Sequence, residues 1–248
     1  MSKQDISHNG NLSILKKIDK LRRSTFNKRQ MELVEEITNE GISGQEELLN
    51  LLIKRIVIQK SEASCLDGFV FQILNKTNFS AIKKNVDDYF SNGIIKINNK
   101  GLKIDYQPLQ NLLINQEFKQ ADKLTQLYLC RLAGIYQKEQ RNWLYFTDVQ
   151  FLPAQDLHAI DTLWRIYSAG KFGFSVQRRI WLANNCNWEK LWNKIGWKKS
   201  GVSSRYPNEF VWSMHAPNGH LPLFNQLRGV QALKALFNHV AWSKANIL

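Results

Sequence analysis

Asn225 and Arg228 stand three residues apart in NQLRG, shortly after Pro222. Proline suits the first turn of a helix, so the spacing predicts both side chains on one face near a helix N-terminus. That arrangement recognises a carboxylate: arginine offers a two-pronged donor, and the helix end adds a favourable field. Upstream, Arg205, Tyr206, Phe210, Trp212 and Leu221 belong to the long stretch 197–221, which Pro207, Pro217 and Gly219 keep from forming one regular element. Phe146 sits on a second loop, RNWLYFTDVQFLP at 141–153. Aromatic residues on loops are placed for binding more often than those on helices, and their faces suit a flat π-system. The set describes a ligand with a broad, flat, apolar body and an acidic edge. A tetrapyrrole with propionates meets that description. So does a single nucleic-acid strand, with bases on the aromatics and phosphates on the arginines. Docking of the loop aromatics on a protein partner is a third use. The residues alone do not separate the three.

Other chemistries find no support. There is no G-x-S-x-G and no P-loop, and Gly170 and Gly173 in SAGKFGFS are spaced wrongly for a phosphate cradle. The five histidines are scattered; His215 and His220 share the long loop but form no metal-ligating cluster. Asp148, Asp156 and Asp161 read as helix caps and ion-pair partners. With no catalytic or metal-binding constellation, the chain reads as a binding protein and not an enzyme.

These residues must be positioned by helices. Apolar spacing predicts helices over 12–23, 26–41, about 44–59, 66–75 and 78–93, with Ser43 and Glu46 as the capping box of the third. IIKINNKGLKI at 94–104 fits a small hairpin or extended linker. Further helices are expected over 108–116, 117–134, 154–170, 175–185 and 187–196, with a last one opening at Pro222. The fold class is all-α, in two domains: an N-terminal helical bundle over 1–100 and a core domain over 101–248.

Bulk properties agree with a soluble chain. Hydrophobic residues make up 44% of 248, and no apolar run reaches the roughly 18–20 residues of a membrane span. The three cysteines are odd in number and far apart, which argues against a disulfide framework. The net charge of +13 suits an anionic partner, whether nucleic acid, a carboxylate ligand or a membrane surface met peripherally. All eight tryptophans lie between Trp143 and Trp242, and Lys outnumbers Arg 23 to 11. The Lys, Asn and Ile bias is common in AT-rich organelle genomes. With no signal or transit segment at the start, it favours a protein encoded and kept in a plastid, the cyanobacterial cytoplasm being the alternative.

The segments DLHAIDTLW, SAGKFGFSVQRRIW, RYPNEFVW and APNGHLPLFNQLRG resemble the core of the Genomes-Uncoupled-Four family, porphyrin-binding regulators of magnesium chelatase in oxygenic phototrophs. The resemblance covers about residues 105–242, and the N-terminal half is similar to the helical bundle preceding that core in cyanobacterial members. It implies an all-helical, cupped tetrapyrrole-binding core built partly from the two loops. It also implies protoporphyrin IX or its magnesium complex as ligand, and the chelatase's large porphyrin-binding subunit as partner. Nucleic acid is then not an expected partner. By motif position, Asn225 and Arg228 would hold propionate and Phe210 would line the cup. Some members carry a second basic residue one turn beyond this arginine; here Gln231 stands there.

Overall fold

In a computed structural model the described residues are 13–21, 26–96, 101–135, 141–223 and 230–243. Among the described residues the regular elements are helices, apart from one two-stranded hairpin. The chain divides into two compact units, residues 1–96 and 97–248.

The first unit begins with a helical stretch at 13–21. It continues through α1 (Lys28–Asn39), α2 (Ile42–Leu52) running into a π-turn (Ile53–Ile58), α3 (Cys65–Asn75) and α4 (Ser80–Phe90). Val34, Ile37, Leu48, Leu52, Val70, Leu74 and Ile82 fill its core. The helix expected from a Ser43–Glu46 box instead starts at Ile42, with Gly41 as the cap and Ser43 inside the helix. Gly41 turns the chain at φ +77°, and a Cβ on Gly44 would lie 1.8 Å from the Ile37 carbonyl oxygen. Close backbone approach between α1 and α2, which only glycine permits, sets this boundary. The capping box lies elsewhere, at Ser64 and Asp67. Asp67, nearly fully buried, also takes two hydrogen bonds from Arg55, at 2.8 and 3.1 Å. No strand occurs at 94–96 or 101–104; residues 97–100 of that expected hairpin lie outside the described set.

The second unit carries α5 (Gln107–Ile114), α6 (Phe118–Leu132), the single turn α7 (Phe146–Val149), α8 (Ala154–Ile166), α9 (Phe174–Ala183) and α10 (Trp188–Lys194). A hairpin of β1 (Lys198–Lys199) and β2 (Val202–Ser203) follows. After it come α11 (Val230–Phe237) and a 3-10 turn, Val240–Trp242. Trp164, Phe118 and Phe172 form an aromatic centre, with ring centroids 5.3–6.5 Å apart. Three buried polar contacts lock α5, α6 and α8 in register. Tyr106 donates to Asp156 (2.7 Å), Tyr167 to Gln110 (2.7 Å) and the Trp164 indole to Thr125 (3.0 Å). Helix α8 stops at Ile166, four residues before the expected end. There the chain enters a turn in which the Gly170 N–H, at φ +74°, closes on the Arg165 carbonyl (2.8 Å). The last helix is expected to open at Pro222, but neither Pro222 nor Leu223 is helical, and residues 224–229 of that expected helix lie outside the described set. Among the described residues no helix is long and apolar enough to cross a membrane.

Candidate functional site

The glycine-containing turn SAGKFGFS, 168–175, is a bracket that holds the long loop. Ser168 ties it to α8, donating to the Trp164 carbonyl (2.6 Å) and accepting from the Phe172 N–H (2.8 Å). Asp161 caps α9 through the Ser175 N–H (2.8 Å) and hydroxyl (2.7 Å), and pairs with Arg165 (2.9 Å). Gly173 sits at φ +129°, and a Cβ there would meet the Asp161 carboxylate at 2.8 Å. Its role is therefore close packing. Asp148 and Asp156 are likewise engaged. Asp148 accepts from the Tyr145 N–H (2.6 Å) and Arg141 (2.8 Å), and Asp156 from Tyr106 and the Lys103 N–H.

From the bracket, hydrogen bonds run into the stretch 197–223. The Gly173 N–H donates to the Leu221 carbonyl (2.9 Å) and the Gly219 N–H to the Lys171 carbonyl (2.8 Å). The Lys171 ammonium reaches the Met214 carbonyl (2.6 Å). Gln177, fully buried on α9, donates to both the Gly219 and Pro222 carbonyls (3.0 and 2.7 Å). An irregular segment cannot satisfy its own backbone, so side chains from the helices do it. His220 is the pivot. Its Nδ1 faces the Ile195 carbonyl (2.6 Å), which only accepts, and its Nε2 takes the Val211 N–H (3.0 Å). The ring is thus neutral with the proton on Nδ1, and burial pushes its pKa below the ordinary histidine value. The Trp197 indole donates to the His220 carbonyl (2.8 Å). At the far end, the Leu223 N–H donates to Asp122 of α6 (2.6 Å). Burial raises the Asp122 carboxyl to about 7, against the lowering effect of that N–H.

On this frame the structure sorts the sequence-derived residues. Tyr206, Phe210 and Trp212 form one cluster: Tyr206 stands perpendicular to Trp212 at 6.0 Å, and Phe210 lies 6.3 Å from Trp212. Tyr206 is 40% exposed, Trp212 is half-buried and Phe210 is only 5% exposed, packed on His220 and Trp197. The Trp212 indole is fixed by the Pro207 carbonyl (2.9 Å). Arg205 is exposed beside the cluster, its backbone N–H held by Glu209 (2.8 Å). Leu221 is fully buried and contributes a carbonyl to the frame, so its side chain faces the core. Phe146 opens α7 and is 56% exposed; among the described residues no ring contact joins it to the Tyr206 cluster. Asn225 and Arg228 lie outside the described residues. Their neighbours are anchored: Leu223 by Asp122, and Val230–Phe237 by packing of α11 against α7.

Two exposed aromatics beside Phe146 carry no motif signal: Tyr145, stacked under Arg141 at 4.6 Å, and Phe151. Their presence in the same loop run as Phe146 is the cue that would have found them. A separate open groove of about 780 Å3, lined by residues such as Lys103, Tyr128 and Arg131, contains none of the site residues. The loops therefore present exposed aromatic rings on a rigid, hydrogen-bonded base, suited to covering one face of a flat apolar molecule. Among the described residues no cluster of metal-ligating side chains occurs.

Residues 99–240 match the model of the family described as GUN4-like. The chain is 42% identical over 228 residues to the ycf53 protein of Pyropia yezoensis, covering 92% of this chain and 95% of that one. It is 39% identical over 150 residues to a protein of Arabidopsis thaliana named "Tetrapyrrole-binding protein, chloroplastic", covering 57% and 56% of the two chains. The solved structure of GUN4 from Chlamydomonas reinhardtii superimposes with a TM-score of 0.55 at 40% identity, over 60% of this chain and 96% of that one.

Proposed function

The chain belongs to the GUN4-like family, and on that premise we propose that it is a non-catalytic tetrapyrrole-binding protein. The carrying observation is the pair of exposed Tyr206 and half-buried Trp212, set on a buried hydrogen-bonded base inside the span shared with the family. The name of the Arabidopsis relative supports the ligand class. The finer reading is that protoporphyrin IX and its magnesium complex are the ligands. The protein would hold them for magnesium chelatase, stimulating it through the large porphyrin-binding subunit, in a plastid.

In this reading Tyr206 and Trp212 cover one face of the macrocycle, with Phe146 as a wall from the other loop. Arg205, Asn225 and Arg228 attract the propionates, and Phe210 and Leu221 act beneath the surface as support. Covering apolar surface yields roughly 25 cal/mol per Å2 before association entropy is subtracted. A ligand covered on one face only remains releasable, as delivery to an enzyme requires. The net charge of +13 favours an acidic cargo.

Titration with protoporphyrin tests the reading. Saturable quenching of tryptophan fluorescence is expected, weakened in Tyr206→Ala. A folded protein that shows no saturable quenching refutes it, and a salt-dependent shift with single-stranded DNA would install the nucleic-acid reading instead. The rate of magnesium insertion by chelatase, with and without the protein, tests the regulatory part separately.

A further inference from the structure

Five tryptophans of the second unit form a connected series that the binding of a flat ligand does not require. Trp181 and Trp188 lie 5.0 Å apart by ring centroids, Trp188 and Trp192 5.3 Å, and Trp192 and Trp197 5.3 Å, the last two within 9° of parallel. Phe210 continues the series at 6.4 Å from Trp197 and 6.3 Å from Trp212, and Tyr206 ends it 6.0 Å beyond. One end is thus the Tyr206–Trp212 pair of the candidate site. The other reaches the outer surface of α10.

The indole N–H groups differ along the series in a directional way. Those of Trp212 and Trp197 are tied to the carbonyls of Pro207 and His220. A carbonyl is a poor base, so an oxidised indole there keeps its proton and stays a strong oxidant. Trp188 and Trp192 are only partly buried, and neither indole nitrogen is among the buried atoms left without a partner. An oxidised indole there loses its proton to water and becomes a milder, trapped radical. The Trp181 nitrogen is buried without a partner, so that ring is a side branch with no proton exit.

We propose that this series is a one-electron relay that carries oxidising equivalents from the ligand site to the protein surface. The inference rests on the tetrapyrrole-binding reading, which supplies the oxidant. A photo-excited tetrapyrrole takes one electron from Trp212, leaving a tetrapyrrole radical anion and a Trp212 radical cation. Trp197 reduces Trp212 across Phe210, Trp192 reduces Trp197, and Trp188 shares the hole with Trp192. At that surface the indole N–H releases its proton to water. The radical anion passes its electron to dioxygen, and a soluble one-electron reductant such as a thiol restores the surface tryptophan with a proton from water. The site's own aromatics are thereby returned to their reduced form instead of being destroyed.

A tethered photo-oxidant tests the relay without any tetrapyrrole. The full chain carries Asn208→Cys in a Cys65→Ser, Cys186→Ser background, with a ruthenium polypyridyl complex on the new thiol. It is flashed without oxygen in the presence of a diffusible electron acceptor, and indole radicals are trapped with a spin trap and located by peptide mass spectrometry. Adducts at Trp188 and Trp192 are expected. Trp197→Phe should lower them several-fold and raise adducts at Trp212. Trp192→Phe, which removes no indole hydrogen bond, should do the same to Trp188 and guards against misfolding of the first variant. Adducts at Trp188 that both variants leave unchanged, or no adducts along the series, overturn the relay. Failure here leaves the fluorescence titration untouched, and a failed titration leaves this result untouched. Repeating the flash with bound protoporphyrin, expecting the same adduct pattern, tests the ligand as oxidant.

Discussion

Asp122 gives a prediction whose size follows from the structure. The carboxyl is nearly fully buried on α6, and the interaction it makes with the loop is the Leu223 N–H at 2.6 Å. Burial lifts its pKa from 3.8 to about 7. The folded protein therefore keeps this proton across a window in which the unfolded chain has lost it. Folding binds the proton between about pH 4 and 7, so stability falls as pH rises through that window. Three units at 1.36 kcal/mol each amount to about 4 kcal/mol at pH 8 relative to pH 4. Asp122→Asn keeps an oxygen that can accept the Leu223 N–H and removes the ionisation. The variant should be more stable than the parent at pH 8, by up to about 4 kcal/mol less the cost of placing the amide N–H groups. Near pH 4 the ionisation gain vanishes, leaving the variant below the parent by the cost of the amide alone. Urea denaturation of both proteins from pH 4 to 8 reads this directly. A variant less stable than the parent at pH 8 would show that the carboxylate is favoured there, and would refute the argument from burial.

Further outcomes follow from the same frame. His220 has a depressed pKa in the folded state, so its contribution is present above its unfolded pKa and lost as pH falls through the folded one. Amide exchange at Val211 should accelerate at acidic pH, because a protonated Nε2 opposes that N–H. Gln177→Leu strands two buried carbonyls but removes the unpartnered Gln177 Oε1. A net loss of about 1–3 kcal/mol in unfolding free energy is expected, with weaker protoporphyrin binding. Gly219→Ala places a Cβ 2.9 Å from Ile180 at φ +75° and should cost about 1–3 kcal/mol, read by thermal unfolding. Arg228→Ala should weaken protoporphyrin binding by about 1.5–3 kcal/mol if a charge-assisted contact to propionate is made; unchanged affinity would remove Arg228 from the site.

Helical period, glycine stops and the concentration of tryptophan after residue 142 are local properties of the chain, and they determined the all-helical class and most element positions. They also marked 197–221 as a stretch that no regular element could span. Local signals failed where distant backbone decided. Ser43 loses its capping role because Gly41 and Gly44 bring α2 against α1, and Pro222 is not helical because Gln177 takes its carbonyl and Asp122 takes the next N–H. The division of labour among the loop aromatics was hidden for the same reason. Phe210 and Trp212 are two residues apart and equally apolar, yet Phe210 is buried against His220 and Trp197 while Trp212 keeps an exposed edge. A helix or strand has a period that projects burial from spacing; an irregular segment has none. Its side chains are sorted by whichever groups its backbone bonds to, and those lie as far away as Asp122, 101 residues before Leu223.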